Sequence, residues 1–339
     1  MAAAPGGPMS AGGGAVGGRR AWVVLAAAAL LALAATAYVL RAAGRGGAAT
    51  ARPAAIRLDD RGRLLFRNAG SNGVLASVPL VHPGGSRVLS GLNCVRVYAS
   101  AGTGVCLTVR RAAVPKIFAV ILDRGLHEVR RVQLPGAPSR ARVSPSGRMV
   151  SWTVFVSGDS YTSPDLSTRT GILDMRTGRV IASIEDLTLL KDGKPYRSPD
   201  VNYWGVTFAA DDDHFYATVR TKGRTYLVEG DVAARTMRTL RENVECPSLS
   251  PDGTRLVFKK ATGDPSRPWR LHVLELRTMG EIALAETRSV DDQAVWLDDH
   301  TVMYGRLDGG TTDVWTVPAD GTGAPRLLLR NAFSPTVVR

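Results

Sequence analysis

Three aspartates are the residues of this chain whose positions most readily suggest chemistry. Asp291 and Asp292 are adjacent in one polar segment, and Asp200 lies in another. Two carboxyl groups on either side of a glycosidic bond can act as general acid and as base or nucleophile. If folding brings these side chains to hydrolytic spacing, they would make the protein a glycan hydrolase or lyase.

Motifs for other kinds of chemistry are missing from the sequence. There is no G-x-S-x-G nucleophile elbow, no G-x-x-x-x-G-K-[ST] phosphate loop and no D-x-D-x-D-G calcium loop. The five histidines do not stand at H-x-x-x-H spacing; they are His82, His127, His214, His272 and His300. We therefore expect no metal and no cofactor, and we predict that the protein is not an enzyme.

The charge of the chain is strongly positive. The formal net charge is +13, from 43 Lys and Arg against 30 Asp and Glu. Nearly all of the excess is Arg, spread through a chain rich in Ala and Gly, a composition typical of a GC-rich genome. Arg110-Arg111 and Arg130-Arg131 are only dipeptides, whereas nucleic-acid binding needs clustered cations with interleaved aromatics. We expect no nucleic-acid partner.

Two of the three cysteines could form a disulfide. Cys94 and Cys106 flank VRVYASAGTGV, which reads as two short strands around a Gly-rich turn. Such a hairpin can set two sulfurs face to face, and the bond would persist if the domain lies outside the cytosol. Cys246 stands in a short apolar run, where a buried small hydrophobe is the better interpretation than a nucleophile.

The N-terminal region predicts a membrane segment. Residues 1–20 are mostly Gly, Ala and Pro and should be disordered. Residues 21–40 carry no charge, and a helix of that length would extend about 30 Å, the thickness of a bilayer core. Trp22 and Tyr38 stand near its ends, where interfacial aromatics occur. We predict a transmembrane helix followed by a linker at 41–54.

A signal peptide is the alternative interpretation of the same segment. Ala35-Thr36-Ala37 offers an A-x-A cleavage site, but the apolar run is longer than a usual signal core. Either interpretation exports the rest of the chain. We therefore predict a single-pass protein of the cell membrane with its C-terminal domain on the extracytoplasmic side, or a secreted protein if the signal is cleaved. The flanking arginines are too evenly balanced to fix the orientation by themselves.

From residue 55 onward a repeated unit predicts one domain. Residues Glu245 to Glu286 contain four short β-rich runs and three turns, the pattern of one propeller blade. The Ser250-Pro251-Asp252-Gly253 turn suits this role, because Pro presets φ and Gly tolerates positive φ. Five further units of this kind fill the chain. The fold class we predict is all-β: a six-bladed β-propeller over 55–339, closed by a strand from the tail 331–339 that joins blade one.

These repeats resemble those of TolB-type β-propellers. SPDGTRLVF followed by WRLHVLEL resembles their WD40-like repeat, as do SPSG at 144–147 and PADG at 318–321. TolB also carries an α/β domain before its propeller, whereas here a membrane segment precedes it. The chain is similar to "TolB-like translocation" proteins in three segments: FVSGDSY…STRTGI at 155–172, DVNYWGVTF at 200–208 and AETRSVDDQAVWLDD at 285–299. The resemblance implies envelope location and protein binding.

Propeller geometry predicts where a site would lie. Loops between second and third strands open on the same face as the links between blades. The long segments at 157–170, 185–203, 259–269 and 286–293 should therefore converge around the channel mouth. The residues expected there combine charge with aromatic surface, as recognition sites do; they are Asp159, Tyr161, Arg169, Tyr196, Asp200, Asn202, Trp204, Arg288, Asp291 and Asp292.

The function that we predict from the sequence is binding or scaffolding. The expected partner is an envelope protein or peptide, and we expect the propeller to be monomeric. The alternatives are the carboxylate enzyme described above and a sensor that holds a ligand in the channel. A carboxylate pair at the mouth would favour the enzyme, and an aromatic rim would favour protein binding.

Overall fold

The computed structural model describes residues 55–70, 73–156 and 167–339. The predictions made for segments 1–20, 21–40 and 41–54, and for Asp159 and Tyr161, lie outside these residues. Within the described ranges no helix has the length and apolar character needed to cross a bilayer. The regular structure of this part is β-sheet, apart from one short 3-10 helix at Ile184–Asp186.

In the described residues, 26 strands form six sheets, which are the blades of the propeller. The strands of each blade follow one another from the inner strand outward. Blade one is β26 (Ala332–Val338), β1 (Arg63–Asn68), β2 (Val74–Pro79) and β3 (Val88–Asn93). Blade two is β4 (Arg96–Ser100), β5 (Thr103–Arg110), β6 (Lys116–Leu122) and β7 (Glu128–Leu134). Blade three is β8 (Ala137–Val143), β9 (Met149–Val156), β10 (Ser167–Asp174) and β11 (Val180–Ile181).

The remaining three blades include one that is larger. Blade four is β14 (Asn202–Phe208), β15 (His214–Thr221), β16 (Arg224–Asp231) and β17 (Thr236–Glu242), with β12 (Thr188–Lys191) and β13 (Lys194–Tyr196) added at its outer edge. Blade five is β18 (Glu245–Leu249), β19 (Arg255–Ala261), β20 (Trp269–Glu275) and β21 (Glu281–Ala283). Blade six is β22 (Val295–Trp296), β23 (Thr301–Asp308), β24 (Thr311–Pro318) and β25 (Arg326–Leu329).

The turn that marks the repeat has the expected structure. In blade five the N–H of Gly253 donates to the carbonyl of Ser250 at 2.9 Å, with φ of Gly253 at +72°. The carboxylate of Asp252 accepts from the backbone N–H of Thr254 at 3.0 Å and from the Ser250 hydroxyl at 2.5 Å. These bonds hold β18 and β19 in one antiparallel hairpin, so the local sequence specifies this turn.

The C-terminal strand closes the ring as predicted. β26 pairs antiparallel with β1, with Arg63 opposite Val338. The Ser334 hydroxyl also accepts from the N–H of Val97 at 3.1 Å and donates to its carbonyl at 2.9 Å, which ties β26 to β4 of blade two. An inner strand from the end of the chain therefore completes a blade from the beginning and covers the sheet edge that β1 would otherwise expose.

The core lies between neighbouring sheets. Met149 and Ile172 of blade three pack with Val206 and Val219 of blade four in one buried cluster. A blade buries both of its faces: Cys106 of β5 packs towards blade one, whereas Val105 and Leu107 of the same strand pack towards blade three. Apolar side chains therefore alternate between the two neighbouring sheets, which fixes the register of the strands. Side chains at the inner strand ends are thereby held in place around the channel.

The link from blade three to blade four differs from expectation. Instead of a loop at the channel mouth, it forms the hairpin β12–β13, and β12 pairs in parallel with β17. Leu187 and Leu189 are buried in the cluster between the blades, which anchors the hairpin to the outer edge of blade four. The gain from burying these leucines and pairing the edge of β17 explains why the segment is sheet.

Candidate functional site

A pocket of about 350 Å³ lies at the face where second-to-third loops and inter-blade links meet. We call it the mouth pocket. Blades two to five and the link before blade six supply its lining, with most residues at strand ends. The lining residues are Arg96, Ser139, Arg140, Phe155, Thr168, Asn202, Trp204, Arg220, Glu245, Cys246, Lys259, Trp269 and Asp291.

Ion pairs organise the charged side of the mouth pocket. The ammonium of Lys259 lies 2.5 Å from an Asp291 oxygen, and a guanidinium nitrogen of Arg140 lies 3.9 Å from the same oxygen. Burial acts to raise the pKa of Asp291, but the charges of Lys259 and Arg140 outweigh it, and the pKa lies below its ordinary value. Asp291 is therefore ionised at neutral pH, and the exposure of 72% of its side chain also favours the charged form.

Glu245 is the titratable group of the mouth pocket with the most unusual surroundings. It begins the inner strand of blade five, and only 6% of its surface is exposed. Burial raises its pKa to about 7; Lys259 opposes this shift and Asp291 adds to it. Near neutral pH the pocket thus contains the ionised carboxylate of Asp291 and the carboxyl group of Glu245, which changes its protonation state in this pH range.

A β-bulge in β18 brings two consecutive residues to the pocket. The pairing of β18 with β19 shifts register between Glu245 and Ser248, and Cys246 has φ +49°. In a regular strand, side chains of neighbouring residues point to opposite faces, so the bulge explains how Glu245 and Cys246 both line the pocket. The N–H of Cys246 donates to the Thr218 hydroxyl at 2.9 Å. Cys246 is buried, as the sequence predicted.

Aromatic side chains form the other walls. Trp204 and Trp269 are half-buried, and Phe155 is 37% exposed. The ammonium of Lys259 lies 4.5 Å from the centre of the Trp269 ring, a distance at which a cation is attracted to the ring face. The pocket therefore combines flat apolar surface with fixed charge.

The structure brings only part of the expected site together. Asn202, Trp204 and Asp291 line the mouth pocket. Asp292 is buried in a small adjoining cavity, where it pairs with Arg96 at 2.9 Å. Each of these residues comes from a long inter-blade link or from the strand that follows it, which is why the sequence could indicate them.

Other expected residues lie elsewhere. Asp200 accepts hydrogen bonds from the Thr221 hydroxyl at 2.8 Å and the Lys222 N–H at 2.5 Å, beside the turn between β15 and β16. Tyr196 bonds to the same Thr221 hydroxyl at 2.9 Å. Arg169 is half-buried on β10, and Arg288 is exposed. The three aspartates considered for catalysis are therefore held at separate places by separate partners.

Sequence reasoning missed the residues that give the mouth pocket its charge. Arg140 and Glu245 stand inside strands and not in long loops. Lys259 begins the segment 259–269 that was expected at the mouth, but it was not among the residues named for the site. The available signal was an acid opening the otherwise apolar run ECPSL, and a lysine in the second strand of the same blade.

One disulfide joins two of the three cysteines. It links Cys94, two residues before β4, to Cys106 within β5. The bond that the sequence left open is therefore present in the structure. No group of three or more His, Cys, Asp or Glu side chains suited to a metal occurs among the residues that the structure describes.

Comparison with known proteins identifies the fold. No family model matches the chain, and no curated protein matches it in sequence. TolB from Acinetobacter baumannii superposes with a TM-score of 0.54 at 16% identity, over 82% of this chain and 67% of TolB. The fold is a TolB-like β-propeller.

Two further structures are similar to this TolB-like propeller. A Mycobacterium tuberculosis puromycin-hydrolyzing peptidase has a TM-score of 0.51 at 14% identity, over 79% of this chain and 43% of the peptidase. A chain of a nidogen–laminin complex has a TM-score of 0.51 at 14% identity, over 82% of this chain and 98% of that one. At these identities the likeness shows the fold alone, and it includes binding proteins as well as an enzyme.

Proposed function

We propose that this TolB-like propeller is anchored in the cell membrane, lies on the extracytoplasmic side and binds an envelope protein or peptide at the mouth pocket. The observation that carries the proposal is the pocket itself, in which Trp204 and Trp269 adjoin Arg140, Lys259 and Asp291. Trp and Arg in partly enclosed positions are the residues that most often dominate protein–protein binding energy.

Two features of the chain support the proposed location. Residues 21–40 are long and apolar enough to span a bilayer. The Cys94–Cys106 bond belongs to a kind that persists in oxidising compartments and is rare in the cytosol. A propeller outside the cytoplasm would present the mouth pocket to other envelope proteins.

Site-specific photo-crosslinking in intact cells tests the binding proposal. A photoreactive phenylalanine replaces Phe155 at the mouth pocket, and the control replaces Ile282, which is 49% exposed on the outermost strand of blade five. We expect a discrete crosslinked partner with the first variant and none with the second. Equal products from both positions, or a partner captured only at Ile282, would contradict the proposal.

A second candidate function has one observation in its favour. Glu245 has a raised pKa and the neighbouring Asp291 a lowered one, a difference that in many enzymes separates a general acid from an ionised carboxylate. The corresponding activity would be cleavage of an acidic glycan. Incubating the full chain with an oligogalacturonide and following product size tests it, because Glu245→Gln should abolish any such cleavage.

A further inference from the structure

The mouth pocket contains more positive than negative side chains. Four cations line it, namely Arg96, Arg140, Arg220 and Lys259, against the two carboxyl groups of Glu245 and Asp291. Asp292 adds a third carboxylate from the adjoining cavity, where it pairs with Arg96. When Glu245 is protonated, the four cations face two carboxylates.

Arg140 is a cation of the mouth pocket that makes no close ion pair with the residues that the structure describes. Its side chain is only 11% exposed, and it donates through one terminal nitrogen to the carbonyl of Ser139 at 3.0 Å. Its nearest carboxylate oxygen, on Asp291, is 3.9 Å away and is already held by Lys259 at 2.5 Å. The Nε of Arg140 is buried without a hydrogen-bond partner. That Nε has almost no accessible surface, so an anion would bind at the terminal nitrogen that faces Asp291 across 3.9 Å, too far for a hydrogen bond to that carboxylate.

We propose that the mouth pocket recognises a carboxylate of its peptide partner, either an acidic side chain or the chain terminus, which binds between Arg140 and Lys259 with Trp204 and Trp269 flanking it. This inference rests on the proposed function and specifies the chemistry of the ligand. The ligand carboxylate competes with Asp291, whose oxygen lies 2.5 Å from the Lys259 ammonium, for this cation.

Glu245 makes this binding dependent on pH. The charged groups that face it are Lys259 on β19, Arg220 on β15, Arg140 on β8 and Asp291 on the link before blade six, and the free thiol of Cys246 lines the same pocket. As a neutral acid, Glu245 can donate a hydrogen bond to the incoming carboxylate. As an anion it repels that carboxylate, so binding is coupled to uptake of one proton.

The neutral lining favours a peptide over an acidic oligosaccharide. Apart from the indole N–H groups of Trp204 and Trp269 and the thiol of Cys246, its uncharged hydrogen-bonding side chains are Ser139, Thr168 and Asn202. The Thr168 hydroxyl already donates to the carbonyl of Tyr203 at 2.9 Å, and the Asn202 oxygen accepts from the Thr168 N–H at 2.9 Å. Few groups are left for the many hydroxyls of a sugar chain, whereas one carboxylate and an adjacent apolar side chain match the cations and the tryptophans.

Calorimetric titration of the full chain in detergent micelles tests the inference. The probes are the peptide acetyl-Trp-Glu-Glu-amide, its neutral analogue acetyl-Trp-Gln-Gln-amide, and trigalacturonate. We expect the acidic peptide to bind at least about tenfold more tightly than the neutral one, as expected for a charge-assisted contact. Its affinity should fall about tenfold from pH 6 to pH 8, since one linked proton with a pKa near 7 gives that factor.

Two variants and one control complete the experiment. Arg140→Gln should weaken binding of the acidic peptide at least about tenfold. Glu245→Gln keeps a neutral side chain at every pH and should remove the pH dependence of binding. This variant tests the inference independently if Arg140→Gln folds poorly. Arg224→Gln, at a site 65% exposed on blade four, is the matched control and should leave the affinity unchanged.

Several outcomes would overturn the inference. Equal binding of the two peptides, or no binding of either at millimolar concentration, would show that a carboxylate is not recognised. Tighter binding or turnover of trigalacturonate would assign the pocket to a glycan. The crosslinking result at Phe155 stands independently, because a partner captured there without carboxylate dependence would leave the proposed function intact.

Discussion

At the scale of single residues, the distinctive feature is a buried acid in a pocket rich in cations. Glu245 has a pKa of about 7 because burial penalises its ionised form more than Lys259 stabilises it. The folded protein therefore holds a proton between about pH 4.5 and pH 7 that the unfolded chain releases. By linkage, stability falls as the pH rises through this range.

Replacing Glu245 by Gln should therefore stabilise the protein at alkaline pH. We expect the free energy of unfolding at pH 8 to rise by up to about 3 kcal/mol, which is the free energy that corresponds to a pKa shift from 4.5 to about 7. At pH 4 we expect little change. Urea unfolding of the full chain in micelles at the two pH values measures this. Glu242→Gln, at a side chain 49% exposed, is the control. A loss of stability at pH 8 in Glu245→Gln would show that its ionised form is needed.

The sequence indicated only some of the site at this scale. Asn202, Trp204 and Asp291 could be predicted because long polar links must reach one face of a propeller. Arg140 and Glu245 could not be predicted, because strand alternation assigns their faces and a β-bulge changes that alternation locally. The position of a bulge depends on contacts between neighbouring strands, which no local sequence pattern specifies.

At the scale of elements, matching bulges in two inner strands shape the pocket. β14 shifts register between Trp204 and Thr207, as β18 does between Glu245 and Ser248. Gly205 has φ +71°, and a Cβ atom there would lie 2.8 Å from the Cα of Cys246. The two bulges therefore contact each other through backbone, which only glycine at this position permits.

Gly205→Ala should consequently cost more than backbone strain alone. Gly223→Ala is the matched comparison, since Gly223 has φ +73° and a Cβ atom there would meet no other atom within 4 Å. We expect Gly223→Ala to lower the free energy of unfolding by about 1 kcal/mol and Gly205→Ala by about 2 kcal/mol or more. Denaturant midpoints of the two variants measure the difference. Equal losses would mean that β14 and β18 adjust freely, contrary to close backbone packing.

The hairpin β12–β13 shows where element prediction failed despite a local signal. Asp192 and Gly193 both have positive φ, at 53° and 74°, as a two-residue hairpin turn requires. The Asp-Gly pair after TLLK indicated this turn. The pattern of six similar blades favoured a loop instead, because it left no place for extra strands. The parallel pairing with β17 depends on partners 48 residues away, such as Met237 for Leu189, which lie beyond any local pattern.

At the scale of the whole molecule, closure of the ring and the disulfide meet in the same region. Ser334 of β26 bonds to Val97 of β4, and Cys94 stands two residues before β4. The repeat pattern predicted six blades and a closing strand, because similar units recur along the chain and the tail repeats the start of one. Because Cys94 stands beside β4, the disulfide restrains blade two next to the strand to which β26 is bonded.

Reduction of this disulfide should lower stability without unfolding the propeller at once. The 12-residue separation of the cysteines corresponds to about 3 kcal/mol of loop-closure entropy. Thermal unfolding of the full chain with and without dithiothreitol measures the loss. The Cys94→Ala/Cys106→Ala double variant should match the reduced protein and be insensitive to the reagent, whereas Cys246→Ala should remain sensitive. Insensitivity of the unsubstituted chain would mean that the bond does not form in solution.

Protease accessibility on intact cells, combined with mass spectrometry of the mature N-terminus, is the most direct test of an anchored extracytoplasmic binding protein. We expect external protease to cleave the propeller, and residues 21–40 to remain in the membrane fraction. Full protection of the propeller until the cells are lysed would contradict this expectation. That result would place the mouth pocket inside the cell and remove envelope proteins as its partners.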